Sequence, residues 1–412
     1  MRKDITHGLL LSLIVFISPL SVAATNYDAL IEESFNNRKA GFANLEHRGV
    51  GNQVILKWGD LPHPHDNNQI QLSNNLILTY GELIMFAGDL FGSNDRPISN
   101  CPIENREACF YSQFLKLDAV SSDTYQNALI QVPVYRQYFD HLSNQLENAK
   151  LSGESEWHFY HEHGAQISKK LNRLSGGGSF VSDYIPFGEY ISLANVNYDH
   201  FYPDAHVAYK AGHQAALKVA IKAHQAYSNG DITIAHSLLS QAYAMNGFAN
   251  HFLTDAMSSG HLRTPRRAIA AHIYLPKALC LLIANLMHDE DNRTGLNVTN
   301  QRGISWRAYG DGFLNTPDAA QHLGLIQQIV QESADAIYAA FETGMMPQAF
   351  EEMTLLPDSN NLETLDNHPP LFKWENNQLL KRKNNFDIND DRYTSWWSGI
   401  LTLIDFNRHN PS

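Results

Sequence analysis

KAGHQAALKVAIKAHQAYS, residues 210–228, is the stretch that decides the fold. Ala, Leu and Val recur in it at three- and four-residue spacing, the period of one buried face of an α-helix. Asn229-Gly230-Asp231 ends that helix and starts another, an amphipathic run over 232–257 that Ser258-Ser259-Gly260 breaks. Residues 266–288 and 318–344 have the same texture. Strand-like alternation is rare, with Ile70–Leu78 the best short case. The reading is an all-α, multi-helix domain over 25–345. After it the chain changes character. Pro347, Pro357, Pro369 and Pro370 interrupt 346–412, which reads as an irregular C-terminal extension. Ser175-Gly176-Gly177-Gly178-Ser179 lacks the Lys-Ser ending of a phosphate-binding loop and reads as a linker within the domain. No internal repeat is visible.

With 412 residues, 43% apolar and 18% charged, the chain has material for a large core and is not a disordered or low-complexity sequence. Its net charge of −13 disfavours nucleic acid as a partner. Arg2 and Lys3, the apolar run Leu9–Val22 with Pro19, and the small residues Val22-Ala23-Ala24 form the pattern of a secretory leader, residues 1–24. The expected location is therefore secreted or periplasmic, where a disulfide can persist. Three cysteines are too few for a disulfide scaffold. Cys101 and Cys109, eight apart in a loop, are expected to pair; Cys280, in an apolar helical run, is expected to stay a buried thiol. Asn292 and Asn297 open glycosylation patterns to which no role is assigned.

Histidine is unusually abundant: 20 in all, with nine from His200 to His288. The sharpest motif is His251-Phe-Leu-Thr-Asp255-Ala-Met-Ser-Ser-Gly-His261. Four residues apart on a helix, His251 and Asp255 project from one face about 6 Å apart. An imidazole and a carboxylate so placed can grip a divalent cation. The Ser-Ser-Gly break then returns His261, and the two oxygens of Asp255 would allow it to bridge two cations, as phosphoester hydrolysis requires. Taken alone, the same spacing fits a surface His–Asp pair beside an unrelated histidine.

It does not stand alone. His200-Phe-Tyr-Pro-Asp204 lies upstream, and the order His200, then His251-x3-Asp255-x5-His261, resembles the zinc-dependent bacterial phospholipase C family, whose distant relatives are single-strand-specific zinc nucleases. Leu78-Thr79-Tyr80-Gly81-Glu82, Ala87-Gly88-Asp89, Tyr209-Lys-Ala-Gly212-His213, Met287-His288-Asp289-Glu290-Asp291-Asn292 and Trp306-Arg-Ala-Tyr309-Gly310-Asp311 resemble a Gram-negative secreted subfamily, over roughly residues 70–315.

The resemblance implies two or three zinc ions. Asp89, His200 and His251 would share one, with Asp89 also the general base; Asp183 is the rival for that place. Asp255 would bridge, and His261 and His288 would begin a second site. The family's acidic residue four places after the second histidine is here Asn292, so Asp291 or Asp311 is expected to complete the site, with His272 the alternative imidazole. The third metal of the family uses an N-terminal Trp and an early histidine. Cleavage after Ala24 would begin this chain at Thr25, so His63, His65, His161 and His163 are the imidazoles in reserve, and two metals are expected over three.

His206 and His213 read as supporting or surface residues. Arg263, Arg266 and Arg267 could fork a phosphate near the metals or start a solvated helix. Trp396-Trp397 with Lys381–Lys383 could dock on a lipid interface or pack the extension. The implied activity is a monomeric phospholipase C acting on phospholipid at a membrane surface, releasing diacylglycerol and a phosphorylated headgroup. A single-strand nuclease or nucleotidase is the alternative within the superfamily; a non-catalytic zinc-binding protein is the alternative outside it.

Overall fold

The computed structural model describes residues 19–37, 44–63, 65–66, 68–120, 128–271 and 276–409. Fourteen α-helices dominate them. The first five are α1 (Pro19–Asn36), α2 (Asn44–Gly51), α3 (Tyr80–Phe91), α4 (Arg106–Asp118) and α5 (Ala128–Leu151). The centre of the chain follows with α6 (Glu156–Leu174), α7 (Glu189–Ala194), α8 (Asp204–Ser228), α9 (Ile232–Asp255) and α10 (Ser259–Leu262). The last four are α11 (Arg266–Ala271), α12 (Lys277–Thr294), α13 (Ala320–Thr343) and α14 (Gly399–His409). The all-α class expected from periodicity is the class observed. Among the described residues no helix is long and apolar enough to cross a membrane.

The hairpin of α8 and α9 is the axis of the fold. Its inner stripe is small: Ala205, Ala208, Ala216, Ala220 and Ala223 on α8 are fully buried against Ala235, Ala242 and Ala249 on α9. A side chain at Gly212 would overlap the Phe110 ring and the Ala249 Cβ, at 2.4 and 2.7 Å, so glycine permits α4, α8 and α9 to approach this closely. α3 packs on α9, and α13 packs on both hairpin helices. One core runs through all of them. The capping box of Thr79 and Glu82 starts α3, the helix that ends beside Asp89.

Two expectations are revised. Ile70–Leu78 is a hairpin of two short strands, β1 (Gln69–Gln71) and β2 (Ile77–Thr79), with Ile70 paired to Leu78. The chain reverses at Asn75, φ 67°, and Asn74 is held in the turn by donating to the Leu117 carbonyl. The helix expected over 266–288 is described as two, α11 and α12, with Pro276 in the N-cap position of α12. His272 lies outside the described residues, as do residues 1–18 of the expected leader; α1 begins at Pro19. A second antiparallel pair, β3 (Leu296–Thr299) with β4 (Ser305–Ala308), follows α12. Cys101 and Cys109 form a disulfide, and Cys280 is a buried free thiol.

The C-terminal extension is irregular only in its first part, 346–371. Residues 372–394 form an antiparallel sheet of β5 (Phe372–Glu375), β6 (Gln378–Arg382) and β7 (Tyr393–Thr394), and α14 follows. Arg382 on β6 is completely buried, with a two-pronged ion pair to Glu290 of α12 at 2.9 and 2.6 Å and further bonds to the carbonyls of Pro369, Asn384 and Asn385. Lys381 is also buried. The expected basic patch for a lipid surface is thus reduced to Lys383. Of the tryptophan pair, Trp396 is 93% exposed, but Trp397 packs on Phe372 and donates to the Leu379 carbonyl.

Removing one partner of a buried ion pair strands the other charge. Glu290→Ala is expected to cost about 3–5 kcal/mol of unfolding free energy, whereas a joint Glu290→Leu, Arg382→Met replacement is expected to cost much less. Urea unfolding followed by circular dichroism measures both; equal losses would show that the pair's charges do not govern the seam.

Candidate metal centre

Six elements converge at one place. The last turn of α9 presents His251 and Asp255. The break at Ser258 starts α10, which carries His261. A short 3-10 turn, Tyr198–His200, delivers His200; Asp199 anchors it by accepting from the Ile98 and Ser99 amides at 2.6 and 3.0 Å. α3 carries Asp89, α12 carries His288, and the loop after β4 carries Asp311. The Tyr202 amide donates to the His261 carbonyl, 3.0 Å, tying the two histidine-bearing segments together. The Asp311 loop is fixed by buried Glu46, which accepts from the Gly312 and Leu314 amides.

Asp255 is the hub. Its Oδ2 lies 2.9 Å from His200 Nδ1 and 3.5 Å from His251 Nε2. Its Oδ1 lies 3.4 Å from His261 Nδ1 and 3.6 Å from His47 Nε2. Asp89 Oδ1 is 3.9 Å from His200 Nδ1. On the other side, His288 Nε2 is 3.0 Å from His261 Nε2 and 3.3 Å from Asp311 Oδ2. Asp89, His200 and His251 therefore form one close group and His261, His288 and Asp311 another, while His47, His251 and Asp255 form a third that shares His251 with the first. Each could hold a metal ion.

The imidazoles are oriented in a way that a cation can use. His251 Nδ1 is 2.9 Å from the Ile84 carbonyl, which can only accept, so that nitrogen carries the proton and Nε2 presents a lone pair to the centre. His288 Nδ1 faces Asp289 Oδ1 at 2.8 Å, and its Nε2 points toward His261, Asp311 and the Asn292 side-chain amide. A cation at this point would take the place of the proton that joins His288 Nε2 to Asp311 in the metal-free centre. A carbonyl or carboxylate behind the imidazole is the usual support of a metal-ligating histidine. Asp255 Oδ2 and His261 Nδ1 are buried without a well-directed hydrogen bond, atoms that a cation would satisfy. At Gly88 a Cβ would come within 2.7 Å of the His251 ring and 2.9 Å of the His200 ring, so no side chain fits between helix α3 and these imidazoles.

The charge balance is steep. Burial opposes charge on Asp255, yet His251, His200 and His261 together hold its carboxyl well below the usual range. Burial also opposes charge on His200, but Asp255 and Asp89 push it up to about 9. His288 is pushed up to about 9, again against burial, by Asp289 and Asp311. Burial brings His251 down to about 4 and His47 down to about 4. Asp89 is raised by burial; its Oδ2 accepts from the Asn44 side chain at 2.8 Å, and its side chain remains 14% exposed.

Other residues singled out from the sequence lie elsewhere. Asp183 is bound by Arg173 and Lys169 on the partly exposed loop after α6 and cannot rival Asp89. Asp291 is engaged by Arg263 and His368, leaving Asp311 as the carboxylate beside His288. Asn292, where an acidic residue was expected, accepts from the Gly260 amide at 2.6 Å and from the Ser258 hydroxyl, and so shapes the turn that carries His261. None of the three arginines is available for a phosphate. Arg263 grips Asp291, Arg266 is buried on Asn197 and two carbonyls, and Arg267 pairs with Asp204. His63 stacks on Trp58 near His236 and His65, away from the centre. His161 groups with His158 and Glu162 on α6, and His163 packs on Phe159. His213 is a buried neutral imidazole bonded to Asn246, and His206 is largely buried against Tyr202. Sequence reasoning missed His47, which bonds Thr254 at 2.8 Å. Its only signal was being an early histidine, and His63 and His65 shared that.

Comparison with family models, with curated proteins and with solved structures gives no match.

At pH 7 the metal-free centre carries protons on His200 and His288, both raised to about 9 from 6.5. Their stabilisation of the metal-free fold is complete below about pH 6.5 and is lost as pH rises through about 9. Metal must displace these protons, so loading at pH 7 is expected to release about two per protein, falling toward none above pH 9. Titration calorimetry in buffers of different ionisation enthalpy measures this; release unchanged from pH 7 to 10 would contradict the assignment.

Proposed function

We propose that this protein is a secreted or periplasmic zinc-dependent phospholipase C, a phosphodiesterase that cleaves glycerophospholipids on the glycerol side, leaving diacylglycerol and a phosphorylated headgroup. The observation that carries the reading is Asp255: one buried carboxylate whose two oxygens face two separate sets of imidazoles. Two cations sharing a carboxylate are the arrangement that phosphoester hydrolysis uses. Histidine and aspartate ligands in groups of three, with room beside partly exposed Asp89 and Asp311, suit zinc that keeps an open position. Zinc, when bound, lowers the pKa of a coordinated water toward about 7 and withdraws charge from phosphoryl oxygens.

The chain's own residues do the rest. Asp89, His200 and His251 would hold one zinc; His261, His288 and Asp311 a second; Asp255 would bridge. His47 is the residue on which a third ion would depend. Asp89 has one oxygen fixed by Asn44 and the other free toward the centre, placed to orient the attacking water and take its proton. Asp289 and the Ile84 carbonyl keep His288 and His251 in the tautomers that ligate. The net charge of −13 suits a phospholipid dispersed or presented at a membrane better than a polyanionic strand. The protein acts as a monomer in this reading.

Phosphatidylcholine is the first substrate to test. Chelation is expected to abolish release of phosphorylcholine and diacylglycerol, and zinc to restore it. Asp255→Asn is expected to lose bound metal and to lower turnover by more than about 100-fold. Metal content by plasma emission, read beside the lipid assay, checks both. Nucleotides released from single-stranded DNA, with no phospholipid cleavage, would overturn the reading.

A further inference from the structure

A cavity of about 270 Å³ lies beside the second histidine group, with Asp289, Asn292 and Asp311 in its wall. It is near the lower end of small-molecule pockets, on the order of 300 Å³. One side is α12, with Leu282 and Leu286; the opposite side is the C-terminal segment, with Phe386, Ile388, Leu403 and Phe406. The α6 side contributes Trp157, which packs near Phe313 of the Asp311 loop.

Most of the polar groups in this wall already have partners inside the protein. Asp289 is held by His288 and Asn285, and Glu290 by Arg382. Asn292 is held by Gly260, Asn385 by Lys381 and Asp405, and Asn407 by Ser34. Arg293 is exposed. What the cavity offers a guest is a mixed wall, slightly more apolar than polar, whose apolar part is gathered on Leu282, Leu286, Phe386, Ile388, Leu403 and Phe406. Phe386 is 41% exposed although it stacks on His409 and meets Phe406, a large apolar side chain left at an opening.

We infer that the C-terminal segment builds an acyl-chain subsite: the cavity between α12 and residues 386–406 takes the acylglycerol part of the substrate whose phosphate sits at His261, His288 and Asp311. The inference rests on the phosphodiesterase reading for the position of the phosphate, but not for the binding of an acylglycerol. It gives the extension a role in substrate choice, through the same packing that joins it to α12.

The test is direct binding of dihexanoylglycerol to the full-length metal-loaded protein by titration calorimetry, beside hydrolysis of phosphatidylcholines of increasing chain length. Phe386→Ala is expected to weaken dihexanoylglycerol binding about tenfold, and Ile388→Ala by a smaller factor. Both changes are at accessible positions, and unchanged melting temperatures would show that the fold is kept. Phe386→Leu, which keeps apolar volume, is expected to recover most of the loss. In hydrolysis, the gain in kcat/KM with chain length is expected to flatten in Phe386→Ala. Binding that these variants weaken in a protein that cleaves no phospholipid would uphold the subsite and remove the phosphodiesterase. Phospholipid cleavage with no dihexanoylglycerol binding, or with binding that neither variant alters, would overturn the subsite and leave the phosphodiesterase standing.

Discussion

The structure depends on one buried negative charge. Asp255 is almost fully enclosed, and an enclosed carboxylate persists only where positive charge or hydrogen-bond donors surround it. Here four imidazoles surround it, from α2, α9, α10 and the turn before α8. In the absence of metal, protons on His200 supply the balance; a cation would supply it more fully, because it satisfies several lone pairs at once. The requirement explains why segments so distant in the chain are pinned to a single point. Where a carboxylate bonds the ring directly, as on His200 and His288, the imidazole is pushed up; His251 and His47 are brought down by burial.

The scaffold meets that requirement by close packing. The alanine stripe between α8 and α9 brings the two helices near enough for α9 to deliver its last turn at a fixed depth. Gly88 lets α3 pass directly over His200 and His251. Behind the ligands stand Ile84, Asp289, Asn44 and Thr254, each bonded to one member of the centre. These contacts narrow the ligands' freedom before any ion arrives. The extension joins the same scaffold through Arg382 and Glu290, one residue along α12 from Asp289, so that the stability of the C-terminal segment and the shape of the cavity are linked through a single helix.

Much of this was legible in the chain. Helical periodicity identified α8, α9 and α13 and small residues marked the breaks at 229–231 and 258–260, but α5 and α6 went unread. The His-x3-Asp-x5-His spacing placed three members of the centre, because four residues on a helix are one turn and the glycine break allows a return. Asp89 and His200 came with the resemblance and its motifs. The alternatives that the fold sets aside share a cause. Asp183, Asp291 and the three arginines were judged by type and nearness in the string, but each charged group settles with whatever opposite charge the fold brings closest. Arg263 met Asp291, and Arg173 met Asp183. The extension looked irregular because short strands in a Pro-rich segment carry weak periodicity.

The sequence by itself determined the helical class, the places of α8, α9 and α13 and the local grip of His251 and Asp255, since all three follow from spacing along a single helix. Only the tertiary structure decided that His47 and Asp311 join the centre, that Asn292 shapes a turn, and that the C-terminal segment lines a cavity. Those facts depend on distances between elements tens to hundreds of residues apart, which side-chain packing sets and no local pattern encodes.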